Sequence, residues 1–329
     1  MRLWNITKHS TKQFYEYANI LKDKDILQGN TTRHFLNACH CFIRYGSAPS
    51  EYLQMNLFKK SADERKKVLS FRKFMKTCKV CNNQNPEITN IVNNKYEFNK
   101  FMHKYINRQW LYSESSTEEE LTNFLKVNKE VMYKPIDLYG GHGISKLHSN
   151  NQEDLKYLLD AKRENKKFLL EELIKQNDVL SKINPYSVNT VRVYSITDTK
   201  GDAHIIATYL RCATKNICVD NFSSGGIAFP IDKETGIISG PGRNELPVNE
   251  YIKHPLTNEI VLGTQIPMFD VVKNQVKEMS KDLSAFRFIG WDIAICDDHL
   301  ELVEANLSPC NIILEINNKG NGAEVLKYV

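Results

Sequence analysis

The sequence lacks the features that would place a chain in a membrane or direct it out of the cell. No window approaches the roughly 18 consecutive apolar residues that a membrane-spanning helix needs. The first 20 residues mix charged, polar and aromatic side chains and hold no apolar signal-peptide core. With 41% hydrophobic and 25% charged residues, the composition is that of a globular protein of one large domain or a few smaller ones. We therefore expect a cytoplasmic protein without a transmembrane segment.

Cysteine is too sparse for a disulfide scaffold, with eight residues in a chain of 329. Cys78 and Cys81 form a lone CxxC motif, and Cys39, His40 and Cys41 form a second short cluster. Neither has the second half-site that a structural zinc ion requires. We therefore expect free thiols and no structural metal at either cluster, and a metal at the CxxC motif is the alternative.

The chain is short of acidic residues in its amino-terminal third. Residues 1–100 hold 18 Lys and Arg but 8 Asp and Glu, whereas the remaining residues hold 26 and 31, for a net charge of +5. A basic amino-terminal third suits an anionic substrate or peripheral contact with an anionic membrane surface. The simpler interpretation is a set of solvated helix faces. We expect no nucleic-acid partner.

Helical patterns dominate residues 1–90. Ser61–Glu64 is a capping box that predicts a helix running to about Met75. The Asn-rich segment Asn82–Asn94 is predicted to be a linker. Strand-like runs are scarce before residue 95.

From about residue 95, strands and helices alternate. Helices are predicted from Thr117 to about Lys129, over Gln152–Arg163 and over Val271–Ser284. Strands are predicted over Val131–Lys134, Phe168–Glu171, Thr190–Ile196, Ala203–Leu210, Phe288–Ile295 and Leu300–Ala305. This alternation predicts a mixed α/β (α+β) fold.

The carboxyl-terminal hairpin carries two acids in an otherwise apolar segment. A three-residue loop at Asp297–His299 would place Asp292 opposite Glu304, and strand alternation puts Asn306 on the face of Glu304. Facing carboxylates repel and are costly to bury. A divalent cation removes both problems, and two carboxylates with one amide suit Mg²⁺ shared with phosphates rather than zinc. A surface-facing polar stripe is the alternative.

A lysine at a strand end is followed by a glycine-rich turn. Lys134 ends the predicted strand, and Gly141 and Gly143 lie in the turn Tyr139–Ile144. Backbone N–H groups of such a turn can close over phosphates while the ammonium group meets them. The pattern is neither a Walker A loop, since no GK[ST] follows, nor a Rossmann fingerprint. Taken alone, the turn is equally consistent with a plain connection.

The apolar strand that begins at Phe168 ends in Glu171 and Glu172. The short linker after it can offer backbone donors and acceptors to the edge of an adenine ring. The later Asp178 can bind ribose hydroxyl groups. By itself this pattern is unremarkable.

The order of these features resembles the ATP-grasp superfamily. Leu302–Pro309 is very similar to the metal-binding strand of D-alanine–D-alanine ligase. More specifically, the chain is similar to the sugar-transfer-associated ATP-grasp proteins, which are related to the α-L-glutamate ligases and linked to polysaccharide synthesis. The motifs that carry this likeness are Asn189–Val193, Asp220–Gly226, His254–Pro255 and Gly290–Ala294. The likeness covers roughly residues 45–315.

The resemblance implies a fold and a role for each matching residue. It implies a helical region over residues 1–90 and an ATP-grasp domain over 91–329, with a lid over about 110–170 and a carboxyl-terminal subdomain over about 171–329, each with an antiparallel sheet. It implies ATP and Mg²⁺ as cofactors. The implied contacts are Lys95, Lys134, Gly141 and Gly143 with phosphates, Glu171, Glu172 and Ile174 with adenine, Asp178 with ribose, Asp292, Glu304 and Asn306 with magnesium, and Arg192 and Arg211 with the transferring phosphoryl group or the acyl phosphate.

The resemblance also implies the reaction, which is a ligase joining a carboxylate to an amine through an acyl phosphate. The expected partners are a small or sugar-linked carboxylate and an amine, with surface polysaccharide synthesis as the expected setting. A phosphotransferase on the same scaffold and a non-catalytic nucleotide-binding scaffold are the alternatives. Arg192 paired with a nearby acid is the alternative to its catalytic role. Cys310 follows Ser308 and Pro309 where the usual pattern has glycine, which leaves the shape of that loop open.

Overall fold

The computed structural model describes residues 2–82, 86–136, 138, 142–215, 222, 225–246, 249–316 and 320–329. Its first part is helical. The helices are α1 (Arg2–Asp23), α2 (Thr31–Tyr45), α3 (Pro49–Gln54), α4 (Ala62–Lys67), α5 (Phe71–Asn82), α6 (Pro86–Asn93) and α7 (Lys95–Phe101), with 3₁₀ turns at Leu57–Lys59 and His103–Tyr105. Among the described residues, no helix combines the length and the apolar character that crossing a membrane requires.

Two local predictions in this region meet different outcomes. The capping box is confirmed, since the Ser61 hydroxyl accepts from the Glu64 amide while the Glu64 carboxylate accepts from the Ser61 amide. However, α4 ends at Lys67 and not near Met75. The chain is extended at Val68, and the Leu69 amide donates to Glu315, 2.7 Å away. A tertiary hydrogen bond therefore takes the backbone group that would continue the helix.

The linker predicted over Asn82–Asn94 is wrong in its second half. Residues 86–93 form α6, and Val92 is buried in the main core with Ile88 packed against it. The polar composition of the segment hides these two apolar anchors, which lie one helical turn apart. Packing against the rest of the chain therefore overrides the local loop propensity of the asparagines.

A four-stranded antiparallel sheet follows, here called the small sheet. Its strands are β1 (Trp110–Tyr112), β2 (Glu130–Pro135), β3 (Ser145–His148) and β4 (Phe168–Glu172), in the order β1-β4-β2-β3. The helices α8 (Glu118–Asn128) and α9 (Gln152–Arg163) pack on one face, against Val131 and Tyr133. Because side chains alternate along a strand, Met132 and Lys134 are left to point to the opposite face.

A seven-stranded antiparallel sheet, here called the large sheet, forms the rest of the fold. Its strands are β5 (Thr190–Thr197), β6 (Ala203–Cys212), β7 (Ile227–Ile231), β8 (Gly242–Arg243), β9 (Glu250–Tyr251), β10 (Phe288–Ile295) and β11 (Leu300–Asn306), in the order β11-β10-β5-β6-β7-β8-β9. The remaining helices are α10 (Asp178–Ile183), α11 (Phe269–Asp282), α12 (Asn311–Glu315) and α13 (Asn321–Leu326). The predicted fold class, two α/β units with antiparallel sheets after a helical region, is confirmed.

Both faces of the large sheet are covered. On one face α11 contributes Val272 and Val276 to a core that contains Val191 and Trp291. On the other face, a second core joins tyrosines of β5 and β6 to α5, α12 and α13, and it contains the buried Cys78 and Cys81 of the CxxC motif. All seven cysteines in the described part of the chain are free thiols.

The side chain of Asn82 attaches α5 to the large sheet. Its Nδ2 donates to the carbonyl oxygens of Phe288, 2.5 Å away, and Leu307, 2.7 Å away. Its Oδ1 accepts from the amides of Arg287 and Phe288 at 3.1 and 3.0 Å. One buried amide therefore satisfies four backbone groups at the start of β10 and just after β11.

We predict that Asn82→Ala destabilises the protein by about 3 kcal/mol, because buried backbone groups left without partners cost about 1–3 kcal/mol each. Urea unfolding followed by circular dichroism measures the difference. Asn274→Ala, at an exposed position of α11, is the control and should change stability little. Equal stability of the two variants would contradict this account of how α5 is attached.

Candidate functional site

A cavity of about 1160 Å³ lies between the two sheets. Small-sheet strands β2, β3 and β4, large-sheet strands β5, β6, β10 and β11, and helices α5, α6 and α7 contribute to its walls. The cavity brings together eleven of the thirteen residues singled out from the sequence: Lys95, Lys134, Glu171, Glu172, Ile174, Asp178, Arg192, Arg211, Asp292, Glu304 and Asn306. Residues separated by up to about two hundred positions therefore share one cleft.

The two glycines of the predicted phosphate loop have different outcomes. Gly141 lies outside the described residues. Gly143 is not among the residues that line the cavity. Its φ is +71°, and a Cβ there would lie 2.9 Å from Cδ1 of Leu138 and 3.0 Å from Cγ of Pro135. Any other residue at position 143 would be strained, so the backbone conformation favours glycine there.

The facing acids of the carboxyl-terminal hairpin are confirmed. Asp292 of β10 pairs directly with Glu304 of β11, and Gly290 pairs with Asn306. A register shift follows Asp292, so the ladder is irregular next to the two carboxylates. The pairing puts Asp292, Glu304 and Asn306 on one face of the hairpin, toward the cleft, while Trp291 and Ala305 pack into the core behind it.

Asp292 is held by two arginines. Arg192 forms a bidentate pair, with Nε 2.6 Å from Oδ1 and Nη2 2.7 Å from Oδ2, and Nη1 of Arg211 is 2.9 Å from Oδ2. Nδ2 of Asn306 also donates to Oδ2 at 3.2 Å. Burial alone would raise the pKa of Asp292, but the two guanidinium groups outweigh burial and lower it.

This pairing changes the expectation for Arg192. The residue lines the cleft, as alternation along β5 predicts, yet its guanidinium is bound to an acid, which is the alternative weighed from the sequence. Removing one partner of a buried ion pair destabilises a protein, because the other charge is then left buried without its partner. Loss of Arg192 should therefore lower the melting temperature as well as any activity.

Glu304 differs from Asp292 in having no hydrogen-bond or ion-pair partner within the described part of the chain. Its side chain is exposed to the cleft. The surrounding cleft walls desolvate the carboxylate, the Asp292 carboxylate lies opposite, and together these raise the pKa of Glu304. Oδ1 of Asp292 accepts one hydrogen bond from the described residues and keeps room for another ligand. The two carboxylates with the Asn306 amide therefore suit an oxygen-seeking divalent cation. Within the described ranges, no cluster of three or more His, Cys, Asp or Glu residues suits a metal.

The two predicted phosphate lysines lie on the small-sheet side of the cleft. Nζ of Lys95, in the first turn of α7, donates to the carbonyl oxygens of Pro135 and Leu138 at 2.8 and 2.6 Å. Lys134 of β2 forms an ion pair with Glu171 of β4. Lys95 therefore supports the backbone just after β2, and Lys134 stands next to a fixed counter-charge.

Glu171 is the centre of a buried charge network. It accepts from Lys134, from Nδ2 of Asn99 at 3.1 Å, and from Arg108, whose Nε is 2.8 Å away. Nη1 of the same arginine is 3.0 Å from Glu301 of β11. Burial alone would raise the pKa of Glu171, but the Arg108 and Lys134 cations outweigh burial and hold that pKa well below its ordinary value.

These contacts argue against the expected role of the Glu171 side chain at adenine. Each of its oxygens already accepts two hydrogen bonds, and its backbone is paired with Trp110 on one side and Met132 on the other. Leu173 and Ile174, just after β4, line the cavity outside any strand. The backbone of this linker is therefore the better position for binding the edge of a base.

Arg108 is a residue that the sequence analysis missed. Its side chain is 3% exposed, and besides its two acids it donates to the carbonyl oxygen of Leu302 at 2.8 Å. It thereby joins β4 of the small sheet to β11 of the large sheet. No local motif distinguishes Arg108, because its partners lie 63 and 193 positions away in the sequence.

The loop after β11 accommodates its cysteine without strain. Cys310 has a φ of −57°, a value open to any residue, and its carbonyl oxygen accepts from the Tyr194 hydroxyl at 2.7 Å. The close approach is at Gly290 instead, where a Cβ would lie 2.6 Å from Cβ of Pro309. Substitution of the usual glycine by Cys310 therefore leaves the loop packed against β10.

Comparisons with known proteins agree with this architecture. A family described as sugar-transfer-associated ATP-grasp matches residues 76–329. The chain belongs to this family. It is therefore an ATP-grasp protein. No curated protein matches the chain.

Several solved structures are similar to the chain at low sequence identity. The ATP-grasp ligase PsnB, complexed with a phosphomimetic variant of its minimal precursor, Mg and ADP, is 16% identical with a TM-score of 0.41, over 68% of this chain and 53% of that one. The ADP complex of N5-carboxyaminoimidazole ribonucleotide synthetase is 12% identical with a TM-score of 0.45, over 70% and 48%. D-alanyl-alanine synthetase A from Vibrio cholerae is 11% identical with a TM-score of 0.47, over 75% and 66%. This chain thus spans about half the length of the first two structures and two thirds of the third.

We predict that the contribution of Glu171 to stability depends on pH. Its pKa is lowered by folding, so its stabilisation is present above the unfolded pKa of about 4.3 and is lost as the pH falls below that value. Glu171→Gln should cost roughly 3–5 kcal/mol at pH 7, since it leaves buried cations without their partner. The difference from wild type should be about 1 kcal/mol smaller at pH 3.5.

Urea unfolding at pH 7 and pH 3.5 measures both differences. Glu119→Gln, at an exposed position of α8, is the control and should show no such dependence. A difference for Glu171→Gln that stays constant with pH would mean that the carboxylate is not ionised within this network.

Proposed function

We propose that the chain is an ATP- and Mg²⁺-dependent ligase that joins a carboxylate to an amine through an acyl phosphate. The observation that carries this proposal is the Glu304 carboxylate, which has no hydrogen-bond or ion-pair partner in the described part of the chain and faces Asp292 in the same cleft as Lys95 and Lys134. A bound cation would stabilise the ionised form of a carboxylate whose pKa is raised beside a second acid, and the two lysines and two arginines around the acids suit phosphates.

Asp292, Glu304 and Asn306 would hold the magnesium ion. When bound, the ion would supply positive charge that neutralises the charge developing on the phosphates. Lys134 would exchange part of its contact with Glu171 for a phosphate oxygen, and Lys95 would bind a second one while it holds the turn after β2. Both lysines are already ordered by protein contacts, so little side-chain entropy is lost when phosphate binds.

The nucleoside would lie along the linker after β4. The backbone of Leu173 and Ile174 would bind the adenine edge, and Asp178, exposed at the start of α10, would accept from ribose hydroxyls. Glu172 also lines this part of the cleft, where its Oε2 accepts from the Gln109 amide at 2.9 Å and keeps the linker against β1.

The reaction would proceed in two steps. A carboxylate oxygen of the substrate attacks the γ-phosphorus and ADP leaves, which forms the acyl phosphate. An amine then attacks the acyl carbon, phosphate leaves and an amide forms. Arg192 and Arg211 would stabilise the charge on the transferring group, with Asp292 fixing the direction of both guanidinium groups. The family description, sugar-transfer-associated, supports a substrate in surface polysaccharide synthesis.

We predict that Glu304→Gln abolishes ATP turnover without loss of stability. The raised pKa of Glu304 means that its ionised form is disfavoured in the folded protein, so the neutral amide should leave the melting temperature at pH 7 unchanged or higher. Loss of one metal ligand should reduce ADP formation with Mg²⁺ by about 10²-fold or more. Coupled-enzyme ADP detection and thermal unfolding are the two measurements.

Glu278→Gln, at an exposed position of α11, is the matched control and should keep both properties. If Glu304→Gln turned over ATP at nearly the wild-type rate with Mg²⁺, the metal site would be misassigned.

The reaction class is tested with the wild-type protein and ATP, Mg²⁺ and candidate carboxylates. A ligase should form hydroxamate when hydroxylamine replaces the amine, because hydroxylamine captures an acyl phosphate. A stable phosphorylated product, with no hydroxamate and no dependence on an amine, would instead identify a phosphotransferase.

A further inference from the structure

One wall of the cleft carries positive charge that the nucleotide and metal residues do not use. Helix α5 presents Met75, Lys76, Cys78, Lys79 and Asn82 to the cavity. The sequence from residue 65 to residue 86 contains seven Lys and Arg and no Asp or Glu. The helix therefore brings a strongly basic segment to the cavity.

The four basic residues of α5 divide into two pairs. Arg72 donates to a backbone carbonyl of α2 at 3.3 Å, and Lys73 donates to a carbonyl just before α5 at 3.0 Å. Lys76 and Lys79 line the cavity instead. Both are exposed, and no described residue forms a hydrogen bond or an ion pair with either. Lys76 and Lys79, which face the cleft, therefore hold no other described residue in place.

The structure holds this wall beside the metal-binding strand. Asn82 binds the backbone at Phe288 and Leu307, and Cys78 forms a side-chain hydrogen bond with Ser308. Leu307 and Ser308 directly follow Asn306. The two free lysines thus face the cleft from the side of the loop after β11, whereas the adenine linker lies after β4.

The volume of the cavity and the charge of the two lysines both favour an anion at the α5 wall, in addition to the phosphates of the nucleotide. At about 1160 Å³, the cavity is slightly larger than the usual range for ligand sites, about 300–1,000 Å³. Residues three apart on a helix lie side by side, with Cβ atoms about 5–6 Å apart, so both ammonium groups can reach one ligand group. Two lysine point charges suit a doubly charged phosphate better than a single carboxylate.

We propose that the carboxylate substrate also carries a phosphate group, and that Lys76 and Lys79 bind this phosphate on the α5 wall. The inference rests on the proposed function, since it assigns the carboxylate of the same substrate to the reacting centre near Glu304. The lysines give the site its preference for phosphorylated acids over plain ones.

Calorimetric titration tests the preference with phosphoglycolate and glycolate, which differ in the phosphate group. The protein is first saturated with Mg²⁺ and a non-hydrolysable ATP analogue, so that the nucleotide site is filled, and ionic strength is held constant. Wild type should bind phosphoglycolate at least about tenfold more tightly than glycolate, and the double variant Lys76→Glu/Lys79→Glu should lose this preference.

The matched control is Lys277→Glu/Lys281→Glu on α11, which changes the net charge equally but lies outside the cleft. This variant should keep the wild-type preference. Equal binding of the two acids by wild type, or a preference that survives in the Lys76→Glu/Lys79→Glu variant, would overturn the proposal.

A thermal shift with the ATP analogue separates this result from the proposed function. If wild type shows the nucleotide shift but no phosphate preference, the α5 subsite alone is overturned. If wild type shows no nucleotide shift, the proposed function fails and the subsite fails with it. The Lys76→Glu/Lys79→Glu variant should keep the nucleotide shift, because neither lysine is assigned to the nucleotide.

Discussion

A buried arginine connects the two sheets next to the cleft. The positions of Lys134 and of strand β11, which carries Glu304, depend on it. Arg108 binds Glu171 of the small sheet and Glu301 of the large sheet, and all three side chains are at most 3% exposed. Burying these charges costs desolvation energy, and the matched ion pairs and hydrogen bonds of the network offset that cost. Lys134 is attached to this network through Glu171, and Glu304 lies three residues beyond Glu301 on the same strand. The small-sheet side and the large-sheet side of the cleft thus share one electrostatic anchor.

In the cleft itself, by contrast, some charged side chains have no partner of opposite charge among the described residues. Asp292 is neutralised by Arg192 and Arg211, whereas Glu304 opposite and the two lysines of α5 have no partners among the described residues. Charged side chains that line a cleft without a protein partner are candidates for ligand binding, because a ligand can supply the partner. A cation at Glu304 and an anion at α5, as proposed above, would complete the balance of charge and would account for the opposite charges on different walls of one cavity.

Much of the fold could be predicted because its signals are local. The capping boxes at Ser61 and Thr117, the helix Gln152–Arg163 and the hairpin that pairs Asp292 with Glu304 depend on residues close in the sequence, and all are confirmed. The early end of α4 and the helix at Pro86–Asn93 could not be predicted in the same way. Both depend on packing against distant parts of the chain, which local propensity does not report.

The sequence by itself determined the fold class, the strands that carry the candidate metal acids and the family, because alternation and the order of motifs are properties of the chain alone. Only the tertiary structure decided what those side chains contact. It paired Arg192 with Asp292 across 100 positions, used the Glu171 carboxylate for Arg108 and Lys134, and brought Lys76 and Lys79 to the cleft. Ion pairs and cavity walls form between residues that are distant in the sequence, so their partners are chosen by the packing of sheets and helices and not by neighbouring residues.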